Sequence, residues 1–135
     1  MNNIVESFEK INSNIKKQRA NRLINVIAVS KTFSFDHIKP LIDYGHKHFG
    51  ENKVQEAVSK WNTIKKQNDD LQLHLIGKLQ SNKAKDAVKF FDYIHSLDSK
   101  KLADALAKYQ SKFGKQLKYF IQVNIGSEIQ KSGIH

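Results

Sequence analysis

The run Asn25-Val26-Ile27-Ala28-Val29-Ser30-Lys31 is an apolar stretch that ends on one lysine. If the stretch is a buried parallel strand, Lys31 stands at the strand end where α/β barrels build their sites. A lysine in that position can attack a carbonyl carbon, but only as the neutral amine. A free side chain, with a pKa of about 10.4, is nearly all protonated at neutral pH. The end of an apolar strand, just before Thr32-Phe33, supplies partial desolvation and so favours the neutral form. The competing reading is that Lys31 is one of 21 lysines and solvates a strand end.

Several other residues could share that rim. Asn52 closes a second strand and would project to the same side as Lys31, although an Asn before a helical stripe also serves as a helix cap. His74 lies inside a third strand and either points toward a reacting group or is a satisfied interior imidazole. Gln80-Ser81-Asn82-Lys83 is a polar turn at a helix start, a geometry that can receive an anion. Lys131 is a second amine near the end of the chain. His46 and His48, two apart on a strand, would face one side, yet no third ligand is spaced to join them, so no metal site is expected. The chain has no cysteine, and therefore no disulfide, thiolate ligand or cysteine nucleophile. It also has no Gly-rich phosphate loop and no Gly-x-Ser-x-Gly elbow.

The elements that must position these groups alternate. Asn3 to Gln18 carries Ile4, Phe8, Ile11 and Ile15 at helical spacing, an amphipathic helix with a lysine-rich outer face. Leu23 to Val29 reads as a strand apolar on both faces. Ser34 or Asp36 caps a helix through Ile38, Leu41 and Ile42, with Pro40 near its first turn and Gly45 at its end. His46 to Asn52 is a weaker strand. Val54, Ala57, Val58, Trp61 and Ile64 form the next helical stripe, followed by a polar linker from Lys65 to Asp70. Leu71 to Ile76 is a strand, Ala84 to Phe91 a helix after Asn82, and Tyr93 to Leu97 a strand leading to an N-cap at Asp98-Ser99. Leu102, Leu106, Tyr109 and Phe113 mark a last helix ended by Gly114, and Leu117 to Asn124 a fifth strand. Such alternation implies parallel strands joined by right-handed crossovers, in either an open sheet or a barrel.

Composition narrows the class further. A hydrophobic share of 39% over 135 residues suits one domain with an ordinary core. No apolar run approaches the roughly 18 residues that span a bilayer, and Met1-Asn2-Asn3 does not begin a signal peptide. A soluble cytoplasmic protein with no membrane partner is expected. The net charge of +10 suggests a polyanion, but the excess is spread lysine with only Arg19 and Arg22 beside it. Bidentate recognition of phosphate or guanine favours arginine, so a basic nucleic-acid-binding module is a minor alternative and no specific nucleic acid is expected.

Taken together, Val29-Ser30-Lys31-Thr32, Phe49-Gly50-Glu51-Asn52, Val54-Gln55-Glu56, His74-Leu75-Ile76-Gly77, Leu79-Gln80-Ser81-Asn82-Lys83 and Lys131-Ser132-Gly133 resemble the pyridoxal phosphate homeostasis proteins. These are single-domain relatives of the alanine racemase N-terminal barrel. The resemblance covers Val26 to His135. It implies an α/β fold of the (β/α)₈ TIM-barrel type and pyridoxal 5′-phosphate (PLP) held as a Schiff base on Lys31. It also implies a contact from Asn52 to the cofactor ring region, with Glu51 supporting that loop, and His74 near the ring. The role implied is cofactor homeostasis or carriage without established turnover, with PLP-dependent apoenzymes as recipients. A PLP-dependent racemase is the enzymatic alternative, but it would need a second base that nothing here supplies. The chain departs from the family's pattern at Lys53, where an aromatic residue is common, and lacks a second basic residue near Phe33.

A closed (β/α)₈ barrel typically takes about 250 residues, and this chain reaches five strands. The expectation is therefore a partial barrel, residues 1–135 forming one truncated unit with an extra N-terminal helix. In such barrels the loops after strands 7 and 8 often build the phosphate site, so cofactor binding should be impaired. Unclosed sheet edges also invite self-association.

Overall fold

A computed structural model describes residues 3–18, 24–126 and 133–134. The elements run α1 (Asn3–Gln18), β1 (Ala28–Val29), α2 (Phe35–Tyr44), β2 (His48–Glu51), α3 (Val54–Gln67) and β3 (Gln72–Leu75). A single 3₁₀ turn at Ser81–Lys83 then leads into α4 (Ala84–Phe90), followed by β4 (Tyr93–Leu97), α5 (Lys100–Phe113) and β5 (Lys118–Ile121). All four strand pairs are parallel, and the spatial order is β1-β2-β3-β4-β5.

That order decides between open sheet and barrel. A right-handed crossover that always steps to the next strand in the same direction lays every connecting helix on one face. A doubly wound sheet needs a reversal, and none occurs here. The result is the winding of a partial (β/α)₈ barrel, with helices outside and the opposite face concave. The core lies on the helical side, where Phe49, Leu73, Leu75 and Ile94 of the sheet are buried with Ala57, Trp61, Val88, Leu102 and Leu106 of the helices.

Local signals explain most boundaries. Ser99 caps α5, its Oγ accepting from the Leu102 N–H at 3.1 Å, and Gly45 (φ 112°) and Gly114 (φ 61°) end α2 and α5 in left-handed geometry. Four readings need correction. Ser34 is the residue before α2, but its Oγ bonds the His37 ring at 2.9 Å and caps no backbone N–H. Pro40 lies inside α2 rather than in its first turn, and burial of Ile38 and Leu41 outweighs the missing hydrogen bond. Lys65 belongs to the last turn of α3, where it bonds Asp92 at 2.8 Å and the Phe90 carbonyl at 2.9 Å. A cation is favoured at that helix end by the dipole.

The fourth correction concerns β1. Residues 24–27 lie outside it, and Leu23 lies outside the described residues. β1 has one neighbour, the four-residue β2, so the ladder runs only from Ala28 to the Ser30 N–H, which bonds the Gly50 carbonyl at 2.9 Å. At the other edge β5 ends at Ile121, and Val123 forms an isolated parallel bridge with Ile134.

Trp61 is fully buried, its ring 5.0 Å from that of Phe49. Trp61→Ala should destabilise the fold by about 3–5 kcal/mol, measured as a lowered urea midpoint with little change in m. A loss below about 1 kcal/mol would show that α3 is not packed as described.

Candidate functional site

Side chains alternate across the sheet, and register sorts them. Val29, Gly50, His74, Tyr93 and Lys118 form one row across the five strands. Phe49 and Glu51, one step off on β2, turn to the helices. The row residues therefore share the concave face. A Cβ on Gly50 would lie 3.2 Å from Ile27 Cγ2 and 3.5 Å from Ile76 Cδ1, which places both isoleucines on that face as well. They form an aliphatic floor over the gap left by glycine.

Continuing the alternation of Ile27 and Val29 brings Lys31 to the C-terminal rim of this face. Its side chain is exposed, so the partial desolvation expected from the apolar run is absent, and it makes no hydrogen bond or ion pair with any described residue. Ser30, directly before it, is buried on the helical side. Behind the sheet Ser30 Oγ donates to Glu51 Oε2 at 2.5 Å, Trp61 Nε1 to the same oxygen at 3.2 Å, and Lys60 Nζ to both carboxylate oxygens at 3.1 and 3.3 Å.

Asn52 follows β2, half-buried at the same rim, and its side-chain amide is also uncommitted among the described residues. It lies against Gly77, just beyond β3, so closely that a Cβ there would collide with the Asn52 carbonyl and side-chain oxygens. Gly77 is thus required for Asn52 to occupy its place. An amine and an amide that are unpaired among the described residues, together with an aliphatic floor, can hold a flat aromatic ring that bears a carbonyl.

His74 lies in the row of Val29, two residues before Lys31. Both of its ring nitrogens are engaged, Nε2 with His48 Nδ1 at 3.0 Å and Nδ1 with His95 Nε2 at 2.9 Å. Its ring stacks on Tyr93 with centroids 4.0 Å apart, and His95 stacks on Phe120 at 4.6 Å. In neutral imidazoles each bond uses one proton, so the three rings form a ladder in which both bonds run the same way. Burial, then the neighbouring His95 and His48, push His74 down to about 4, with Asp92 opposing. Burial also lowers His48, partly opposed by Asp92 and aided by Lys118, and lowers His95.

His46 and His48 do not make a metal pair. The His46 ring lies against Phe8 and Phe49, 4.6 and 5.3 Å away, while His48 joins the ladder. Among the described residues no group of three His, Asp or Glu is placed to hold a metal ion. Gln80-Ser81-Asn82-Lys83 forms the 3₁₀ turn before α4, and Lys131 lies outside the described residues. Sequence reasoning missed Lys60, Trp61 and His95. The histidines did leave a trace, because His48, His74 and His95 each adjoin a buried apolar strand residue, so each turns away from the core.

The sheet and its rim define a parallel α/β-barrel protein with a lysine just beyond the first strand that is unpaired among the described residues. The chain belongs to the family of the alanine racemase N-terminal domain, whose profile matches residues 7–135. It is 40% identical over 136 residues to the pyridoxal phosphate homeostasis protein of Pasteurella multocida, covering 97% of this chain and 58% of that protein. PipY of Synechococcus elongatus, solved without and with PLP, is 38% identical over 93% of this chain, with TM-scores of 0.79 and 0.76. The matches cover 59% and 58% of the PipY chains. A histidine racemase from Leuconostoc mesenteroides, 22% identical with a TM-score of 0.58 over 91% of this chain and 33% of its own, shares the fold. The chain thus spans about three fifths of the length of the curated relatives it matches. No helix among the described residues is long and apolar enough to cross a membrane.

Stability should fall in acid. An unfolded chain binds a proton near the ordinary histidine value of 6.5, whereas folded His74 binds one only near 4. The stabilisation is therefore complete above 6.5 and disappears as pH falls through that interval. Allowing for solvent screening, a loss on the order of 2 kcal/mol is expected between pH 7 and 4. His74→Asn should flatten that slope in urea titrations, and an equally steep slope would remove the ladder as its source.

Proposed function

We propose that this chain binds PLP through Lys31, as part of a protein that holds and releases the cofactor without turning over a substrate. The observation that carries the reading is Lys31, exposed and without a partner among the described residues two positions beyond Val29 of the concave row, with Asn52 likewise uncommitted two positions beyond Gly50, the register partner of Val29. The cofactor supplies an aldehyde carbon that a lysine amine captures as a Schiff base with loss of water. Lys31 is the amine and Asn52 the polar contact to the ring. His74 stands in the row of Val29, part of a histidine layer beside the floor that stays neutral at physiological pH. The floor beside Lys31 is aliphatic, so it holds a ring and supplies no proton, which favours a carrier over a racemase. Apoenzymes that use PLP are the recipients this reading implies, and the cytoplasm is the compartment.

Family membership supports the assignment, as does the PLP-bound structure of PipY. The test is to add PLP, follow the imine absorbance, reduce with borohydride and locate the label by mass spectrometry. Label should concentrate on Lys31 and vanish with Lys31→Ala, while Asn52→Ala should weaken binding about tenfold, equal to about 1.4 kcal/mol. Label scattered over many lysines would remove the assignment.

We also propose that copies of this chain associate through their sheet edges. Beside β1 a cleft of about 590 Å³ is lined by Ile4, Val29, Phe33, Ile38 and Leu41. At the other edge Ile121 and Ile125 are 63% and 92% exposed. Unpaired strand edges with exposed apolar side chains recruit further strands. Sedimentation should show mass rising with concentration, and Ile121→Lys should reduce it. A wild-type chain that stays monomeric throughout would end this proposal.

A further inference from the structure

The turn that carries Lys31 is held from behind the sheet. The Ser30 carbonyl accepts from the Phe33 N–H at 3.3 Å, closing the turn, and from Lys60 Nζ at 2.6 Å. Lys60 and Glu51 form an ion pair whose side chains are only 13% and 1% exposed. Between Lys31 and Phe33, Thr32 has φ 67°, the one non-glycine with positive φ among the described residues. A β-branched residue is strained there and persists only when its surroundings over-determine it. The atom through which the surroundings act is the Ser30 carbonyl oxygen, shared between the turn and the buried ammonium.

We propose that Lys60, held by Glu51, is a positioning residue for Lys31. Its ammonium fixes the Ser30 carbonyl, keeps Thr32 in left-handed geometry, and so holds the Lys31 side chain over the concave rim. Without it the carbonyl retains, among the described residues, only the long bond from Phe33, Thr32 relaxes toward negative φ, and Lys31 leaves the rim. The inference rests on the reading of Lys31 as the cofactor amine and adds the device that aims it.

The test is a cycle of Lys60→Met, Thr32→Gly and the double variant in the full chain, read by amide hydrogen exchange without cofactor and by borohydride-trapped PLP label. In Lys60→Met the Phe33 amide should exchange at least tenfold faster while β3 amides stay protected, and the share of label on Lys31 should fall about fivefold. Thr32→Gly alone should change Phe33 exchange less than twofold. In the double variant protection should largely return, because glycine adopts φ 67° without strain. A purely structural role for Lys60 would instead give the same Thr32→Gly effect in both backgrounds.

Unchanged Phe33 exchange in a folded Lys60→Met chain, or equal Thr32→Gly effects in both backgrounds, would overturn the proposal. If Lys60→Met loses β3 protection because it strands a buried carboxylate, Glu51→Gln/Lys60→Met replaces it, leaves no buried charge, and is judged by the same outcomes. The exchange readout is independent of the cofactor. A chain that shows the coupling but takes no label at Lys31 refutes the PLP reading and supports the account of the turn, whereas label without coupling does the reverse.

Discussion

A carboxylate shut away from water must be paired, and the arrangement around Glu51 follows from that constraint. Taking one ion out of water costs several kcal/mol unless an opposite charge and hydrogen bonds replace the lost solvation. Glu51 receives Lys60, Trp61 and Ser30, which come from α3 and from the end of β1. The two elements are thereby fastened to β2 at one point. Since β1 has a single neighbour and a two-residue span, this polar fastening supplements a short ladder. The rim lysine inherits its position from the same point.

The two faces of the sheet are held by different physics. Toward the helices, Phe49, Leu73, Leu75 and Ile94 close a dry core in which apolar burial dominates. On the concave face the strands contribute His48, His74, Tyr93, His95 and Phe120, joined by ring stacking and ring-to-ring hydrogen bonds. Such a layer is satisfied only while its imidazoles are neutral, because adjacent protonated rings would present two hydrogens to one another. Beside it, over Gly50, the face is aliphatic, with Ile27, Val29 and Ile76, and it turns polar at the rim. An aromatic cofactor placed there meets an apolar floor and two polar groups that are free among the described residues, while the bonded histidines beside the floor are already committed.

Much of the fold was legible in the chain. The helical stripe from Val54 to Ile64, the Ser99 cap and the glycines after α2 and α5 act through neighbours within a few residues, so spacing alone reveals them. The errors arose where distant partners set the outcome. Leu23 to Val29 reads as a long strand, yet β1 extends only as far as β2 offers partners. Pro40 ought to mark a helix start, yet α2 continues through it because tertiary burial outweighs one hydrogen bond. At the candidate site, Lys31 was visible as the lysine ending an apolar run, and Asn52 as the residue closing a weaker strand, given a role only by the family resemblance, whereas Lys60 and Trp61 looked like ordinary members of a helix.

The sequence by itself determined the alternation of strands and helices, the parallel pairing that follows from it, and the lysine that ends the first strand. These depend on periodicity and on chirality, which act at short range. Only the tertiary structure decided that the strands lie in sequential order, and hence that one face is left concave. It also decided that three histidines from three strands meet as one ladder, and that a part-buried lysine, held by a buried glutamate, donates to the carbonyl next to Lys31. Most of those contacts join residues about 20 positions apart or more, and the chain records no spacing from which they can be read before the sheet assembles.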